Sequence, residues 1–394
     1  MTARMPRILL ATNLVPGAQF GTLEEQICIL APKIEQDGGK LITLFSANTS
    51  GPLDEYSARG IDAHYLNLTR FDPATLIALV KLVRRYRIDV VHWNMLEPIR
   101  NSYLWALTLL CPTVRHWMTD HVSRPVPVQL GGNGLGARIK RLLTRRYDAL
   151  FCVSRFNRDC LEQQAIGTRL VTQYHFVNTE RFRPDPAIRR KVREEQNAGD
   201  KLVAILVAYL IPEKGADVAL EALAKMPPSV CLWVVGGGPE QQRLTARCKQ
   251  LGLTERVRML GPKSQVQPYL QAADVLVCPS RWAEAAGLVN LEGQACGLPV
   301  IASRIGGIPE HVVDERTGLL FEPGDSADLA RKLARFIDEP GLRERLSAAA
   351  RPWIVESFSP DRRVPEILEH YRNLGGRQCS WFRAGRLSKL NPQL

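Results

Sequence analysis

The chain has 394 residues, 45% of them hydrophobic, with 52 lysines and arginines against 40 acids, for a net charge of +12. That length calls for two domains with packed cores, and a pI of about 9.4 favours anionic partners of the nucleotide, nucleic-acid or acidic-membrane kind. No secretory leader is expected, because Ile8-Leu-Leu-Ala is too short, nor a membrane span, because no apolar run is long enough. The nine cysteines form no Cys-x-x-Cys pair. Cys152, Cys231 and Cys278 sit inside apolar strand patterns, which implies buried small hydrophobes in a reducing compartment. A cytoplasmic protein is expected, at most peripheral on the inner face of the cell membrane.

Arg7-Ile-Leu-Leu-Ala-Thr reads as the first strand of an α/β domain. A loop from Asn13 to Thr22 carries Pro16, Gly17 and Gly21, and a helix over 23–36 follows, with Glu24 and Glu25 in its first turn. Strand and helix patterns then alternate through Leu41-Ile-Thr-Leu-Phe, Leu76 to Arg87, Asp89-Val-Val-His-Trp and Val114-Arg-His-Trp-Met. That order predicts a doubly wound parallel sheet. Ligands gather at the carboxyl ends of such strands, where Thr119-Asp120-His121 falls.

Gly131-Gly-Asn-Gly-Leu-Gly136 reads as a loop lining the acceptor side; its spacing is not Gly-x-Gly-x-x-Gly. In the helix after it, Ile139, Leu142 and Leu143 share one face, and Arg138, Lys140, Arg141, Arg145 and Arg146 occupy the rest. Two readings of this segment stay open. The apolar face packs on the sheet and the charges are solvated, or the helix meets anionic lipid. Ala149-Leu-Phe-Cys-Val-Ser is another buried strand. The first domain is expected to span 1–184, with a linker at 185–200 and a second domain at 201–358. A last helix over 359–374 follows, then a basic tail, 375–394, with Trp381 and Phe382, which reads as disordered in solution.

The second domain opens with Leu202-Val-Ala-Ile-Leu-Val-Ala, a strand buried on both faces, followed by Pro212-Glu-Lys-Gly-Ala-Asp. Val234-Val-Gly-Gly-Gly-Pro fails the dinucleotide fingerprint, because Gln241 stands at the last glycine position. The stretch 279–303 is the most informative. It opens after one apolar strand pattern, 274–278, and closes with another, 299–302. Leu288, Leu291 and Ala295 predict a helix between them. Gly287 lets the backbone approach a ligand at the helix start, where free N–H groups suit a phosphate. Glu284 and Glu292 flank that point. Carboxylates accept hydrogen bonds from hydroxyls, so the ligand expected here is a sugar phosphate.

This stretch resembles the retaining glycosyltransferases of family 4, which have the GT-B architecture: two Rossmann-like, doubly wound parallel-sheet domains facing a cleft. The resemblance rests on Glu284, seven residues, Glu292, then Gly297-Leu-Pro-Val300, and it extends over most of the chain. It implies that Glu284 holds hydroxyls of the donor sugar and Glu292 those of the ribose. It also implies that Lys214 contacts the donor diphosphate and that Ala286, Gly287, Leu288 and Val289 line it. Gly21 is the one glycine that matches the family's glycine-rich loop, in Phe20-Gly21-Thr22. His121 resembles a histidine that faces the transferred sugar. Tyr209 stands where family members usually carry a phosphate-binding arginine. The last helix is expected to cross back onto the first domain.

The resemblance implies transfer of a hexose-type sugar from a nucleotide-diphosphate donor, with retention, to a glycan or lipid-linked acceptor in surface-polysaccharide or glycolipid synthesis. It implies no required cofactor or metal. An anionic membrane surface is an expected partner and nucleic acid is not, since no recognised module carries the positive charge. A GT-B epimerase of nucleotide sugars, or a degenerate scaffold binding sugar nucleotide or membrane, are the alternatives.

Overall fold

The computed structural model describes residues 4–14, 21–46, 53–95, 101–125, 134–164 and 166–375. Pro16, Gly17 and Phe20, residues 131–133 of the glycine-rich segment, and the tail from 376 with Trp381 and Phe382 lie outside the described residues.

Thirteen strands form two sheets among the described residues. The first holds β1 (Arg7–Thr12), β2 (Lys40–Phe45), β3 (Asp62–Tyr65), β4 (Val90–Asn94), β5 (Arg115–Asp120), β6 (Ala149–Cys152) and β7 (Leu170–Thr172). The second holds β8 (Leu202–Val207), β9 (Val230–Val235), β10 (Val257–Gly261), β11 (Val275–Cys278), β12 (Val300–Ser303) and β13 (Gly318–Phe321). The helices around the first are α1 (Thr22–Gln36), α2 (Asp54–Ser57), α3 (Pro73–Arg85), α4 (Ser102–Leu110), α5 (Leu135–Thr144) and α6 (Arg155–Gln163). Around the second lie α7 (Pro186–Glu195), α8 (Ala216–Ala224), α9 (Gln241–Gln250), α10 (Gln267–Ala272), α11 (Leu288–Ala295), α12 (Ile308–His311), α13 (Ser326–Asp338) and α14 (Leu342–Phe358), and α15 (Pro360–Gly375) ends the described chain.

The strand orders are β3-β2-β1-β4-β5-β6-β7 and β10-β9-β8-β11-β12-β13, and every pairing is parallel. These are two Rossmann-like sheets. Both faces of each are covered. In β8, Ala204 and Leu206 enter one core and Val203 and Ile205 the other; in β1, Ile8 and Leu10 oppose Leu9 and Ala11 in the same way. Period-2 side chains buried on both sides explain the unbroken apolar runs. The order of each sheet reverses once, between β1 and β4 and between β8 and β11. A crevice opens where neighbouring strands send their connections to opposite faces.

The segment 185–200, expected as a linker, carries α7. Asp185 caps it by accepting from the Ala187 and Ile188 N–H groups, both at 3.0 Å. Its basic residues serve a buried carboxylate. Arg189 and Arg193 reach Asp274 at 2.6 and 3.0 Å, and the Val203 N–H donates to it at 2.8 Å. A buried carboxylate is costly unless it is paired, so these charges tie α7 to the second sheet. Helix α15 runs back to the first sheet. Tyr371 is buried there, its ring 5.2 Å from that of Trp117, and Arg372 pairs with Asp37.

Candidate active site

The crevice of the second sheet is formed by the segments after β8 and β11. After β8 the chain makes a single 3-10 turn, Pro212–Lys214, closed by Gly215. Gly215 has φ +66°, and a Cβ there would stand 2.0 Å from the Pro279 carbonyl oxygen. Only glycine lets the two segments touch. The Arg281 N–H donates to the Glu213 carbonyl at 2.8 Å, and the Arg281 guanidinium grips both oxygens of Asp217 at 2.9 and 3.0 Å. Lys214 is thereby held against the loop after β11, where its Nζ meets Glu284 Oε1 at 2.8 Å. The Ser280 hydroxyl donates to the same oxygen. Burial opposes charge on Lys214, but the Glu284 carboxylate outweighs it and holds the lysine above its ordinary range. Lys214 and Glu284 therefore face each other as a charged pair.

Gly287, at φ +68°, caps the N-terminus of α11. A Cβ there would lie 2.9 Å from Asn290 Nδ2 and 3.5 Å from Glu284 Oε2. The turn brings the free N–H groups of α11 beside the Lys214–Glu284 pair. Ala286 is buried, and Leu288 and Val289 are half-buried at the helix start. Glu292, one turn further, accepts from the Thr22 hydroxyl at the start of α1. Burial pushes the Glu292 carboxyl up to about 7, against the opposing pulls of Thr22 and the Arg181 guanidinium. Gly21, which precedes Thr22, donates its N–H to Glu24 Oε2 at 3.1 Å and so closes the first turn of α1.

The loop after β11 also meets the loop after β5. Arg124 and Ala283 exchange both backbone hydrogen bonds, at 3.0 and 2.9 Å, while Ala285 and Ala286 pack on Val153. Below them Glu310 of α12 accepts from the backbone N–H groups of Arg155 and Phe156 at 2.9 and 2.8 Å. Those are the unsatisfied donors at the N-terminus of α6. Glu310 also accepts from the Tyr174 hydroxyl at 2.5 Å.

A crevice of the second sheet lined by a lysine, a helix N-terminus and two carboxylates is now defined. Residues 31–181 match the family model Glycosyltransferase Family 4, and residues 188–353 match Glycosyl transferases group 1. The chain is a GT-B glycosyltransferase related to family 4. It takes a sugar from a nucleotide-sugar donor and passes it to an acceptor.

The enzyme is 28% identical over 339 residues to a Mycolicibacterium smegmatis protein, GDP-mannose-dependent alpha-(1-6)-phosphatidylinositol monomannoside mannosyltransferase; the match covers 80% of this chain and 85% of that one. It is 38% identical over 215 residues to the D-inositol 3-phosphate glycosyltransferase of Streptomyces scabiei, covering 50% of this chain and 46% of that one. Its fold is similar to that of Anabaena Alr3699/HepE in complex with UDP, with a TM-score of 0.77 at 20% identity, covering 93% and 100% of the two chains.

The enzyme's first domain holds a pocket of neutral groups at its strand ends. It is lined by Thr12, Gln26, His92, Thr119, His121 and His175, with Tyr371 among its other walls. His121 follows β5, and burial pulls its imidazole down to about 4. His92 Nε2 lies 2.7 Å from the Thr119 hydroxyl, and burial pulls this ring down to about 3. Both rings are uncharged at neutral pH. Among the described residues no group of three His, Cys, Asp or Glu could hold a metal ion.

Tyr209 lies just past β8 and is 64% exposed. The basic residues Arg138, Lys140, Arg141, Arg145 and Arg146 lie on α5 and the turn after it, not on either crevice segment. The apolar face of α5 does not pack on the sheet. Leu135, Ile139 and Leu142 are exposed, at 74%, 48% and 63%, while Leu143 is half-buried. The helix is seated by Thr144 instead, whose hydroxyl accepts from the Gly167 N–H at 2.9 Å. Arg146 lies over the Trp105 ring of α4, 5.1 Å from its centroid, and Leu109 and Leu110 at the end of α4 are exposed as well. No described helix is long and apolar enough to cross a membrane.

Sequence reasoning missed Gln26, His175 and Glu310. His175 was within reach. It lies three residues past β7, at the same strand end that drew attention to His121. Gln26 and Glu310 carry no local signal, because their partners are 149 and 155 positions away.

Proposed function

We propose that the enzyme moves a hexose-type sugar, with retention, from a nucleotide-diphosphate donor to a lipid-linked or glycan acceptor at the cytoplasmic face of the cell membrane. The Lys214–Glu284 pair beside the α11 N-terminus carries the donor half of this reading. The leaving group is a diphosphate, already a weak base, so transfer calls for fixed positive charge where negative charge grows rather than for a strong acid. Lys214 and the N–H groups of α11 supply it. Glu284 keeps Lys214 charged, and its second oxygen, beside Gly287, is placed to accept from a sugar hydroxyl. Glu292 holds the ribose hydroxyls, and His121 meets the transferred sugar from the opposite wall.

The outward stripe of Leu135, Ile139 and Leu142, flanked by Arg138, Arg141 and Arg145, supports a lipid-linked acceptor. An apolar stripe bordered by cations suits the boundary between anionic headgroups and acyl chains. The acceptor named for the Mycolicibacterium relative is a phosphatidylinositol mannoside, which makes phosphatidylinositol-type lipids the first acceptors to try, with GDP-mannose as first donor. The experiment is a thermal-shift panel of UDP-, GDP- and ADP-sugars, followed by turnover with lipid vesicles and NMR of the anomeric linkage formed. Stabilisation of about 2.7 kcal/mol at a hundredfold excess over Kd is expected for the true donor. If no nucleotide sugar shifts the melting curve, the donor assignment fails. An inverted linkage would overturn retention alone.

A further inference from the structure

Three contacts run inward from His121. Its Nδ1 lies 3.3 Å from His175 Nε2, with the two ring planes 26° apart. His175 Nδ1 lies 2.9 Å from Gln26 Oε1, and Gln26 Nε2 donates to the Phe176 carbonyl at 2.6 Å. The direction of each bond follows from the last one. A carbonyl can only accept, so the amide end facing Phe176 is the NH2 and the end facing His175 is the oxygen. That oxygen can only accept, so His175 Nδ1 carries a proton. Burial lowers both rings, His121 to about 4 and His175 well below its ordinary range, so each holds a single proton at neutral pH. His175 Nε2 is then a bare lone pair, and the proton in its contact with His121 belongs to His121 Nδ1. What remains is His121 Nε2, a buried acceptor with no partner among the described residues.

We propose that Gln26 and His175 are positioning residues that lock His121 in its Nδ1–H tautomer, so that His121 Nε2 accepts a hydrogen bond from a hydroxyl of the transferred sugar. This rests on the reading above that His121 faces that sugar. The relay sets the direction of the bond, since the other tautomer would turn His121 into a donor. A buried acceptor left unmatched is penalised, so the site selects donors that carry a free hydroxyl at that point. A relay of neutral groups adds this selectivity without placing a charge against the departing phosphate.

The test uses the full chain labelled with 15N-histidine, and long-range proton–nitrogen correlation with His121 assigned through His121→Asn. In the wild type, His121 should show a protonated Nδ1 and a bare Nε2. The pattern should survive His175→Gln, whose amide oxygen can stand where Nε2 stood and accept from His121. It should give way to mixed tautomers in His175→Phe and Gln26→Leu. With GDP-mannose and UDP-glucose as the donors tested, those two variants should lose about tenfold in kcat/KM, the size of one hydrogen bond, while affinity for GDP or UDP alone is unchanged and His175→Gln stays near wild type. A general loss of structure would weaken nucleotide binding too. A protonated Nε2 on wild-type His121, or an unaltered tautomer in both His175→Phe and Gln26→Leu, overturns the proposal. If the wild type turns over neither donor, the donor reading is what fails, and the nitrogen spectra still decide the tautomer.

Discussion

In the second domain Lys214, Glu284, Glu292 and the N-terminus of α11 gather at one crevice, whereas in the first Thr12, Gln26, His92, Thr119, His121 and His175 line a pocket. The crevice set is charged and the pocket lining neutral, although both sit at the strand ends of similar sheets. A diphosphate that gains charge as it departs needs fixed positive charge close by. A sugar ring offers only hydroxyls, which neutral imidazoles and amides match without a charge to desolvate. The exposed basic run of α5 lies on neither crevice segment. The contrast teaches that a net charge of +12 is not a single signal here. Part of it sits in the second sheet's crevice at Lys214, part neutralises buried carboxylates such as Asp274, and part forms an outer surface.

The strongest way to break this comparison is Lys214→Ala. It should lower kcat by roughly 10²–10³ with a smaller change in donor KM, because charge on the leaving group peaks in the transition state. A change confined to KM would make Lys214 a uniform binder. The outer surface comes next. Arg138, Arg141 and Arg145 replaced together by Glu should abolish sedimentation with anionic vesicles, since each basic residue contributes roughly 1 kcal/mol. Wild-type binding should fall as salt rises, and equal recovery in the supernatant with anionic and neutral vesicles would remove the lipid reading. Glu292→Ala should weaken nucleoside diphosphate binding by about 1.5–3 kcal/mol in calorimetry; unchanged affinity would take Glu292 out of the ribose role.

Glu292 also allows a test of pH dependence. Its carboxyl is raised in the folded state from 4.5 to about 7. A raised carboxylate binds its proton more tightly when folded, so ionisation works against the fold. That penalty is absent below about pH 4.5, grows through the interval and is complete above about pH 7. Glu292→Gln should therefore melt a few degrees higher than wild type at pH 8, and the gap should close toward pH 4. A constant gap would assign it to packing. The smallest effect is expected for Tyr209→Arg, which adds a cation at an exposed position beside the donor crevice. Donor affinity should be unchanged or slightly better, and a large loss in the same calorimetry would give the tyrosine a contact of its own.

Local signals determined much of this protein. The apolar runs of β1 and β8 and the glycine before Leu288 act over a few residues, so they are legible in the chain itself. The two sheets and the segment from Glu284 to Glu292 could be placed from them. Even there the boundaries moved: α3 begins at Pro73 because Asp72 accepts from the Thr75 N–H at 2.7 Å. Tertiary structure decided what each charge and ring is for. The partner of α7's basic run, Asp274, lies about 80 positions away and shows only in the fold. Periodicity gave α5 an apolar face but could not say which way it turns, and that depended on Thr144 seating the helix against Gly167. The proton on His121 was settled by Gln26 and His175, from two other elements. Hydrogen bonds and ion pairs act over about 3 Å of space and leave no mark on spacing along the chain, so their partners become visible only when the chain has folded.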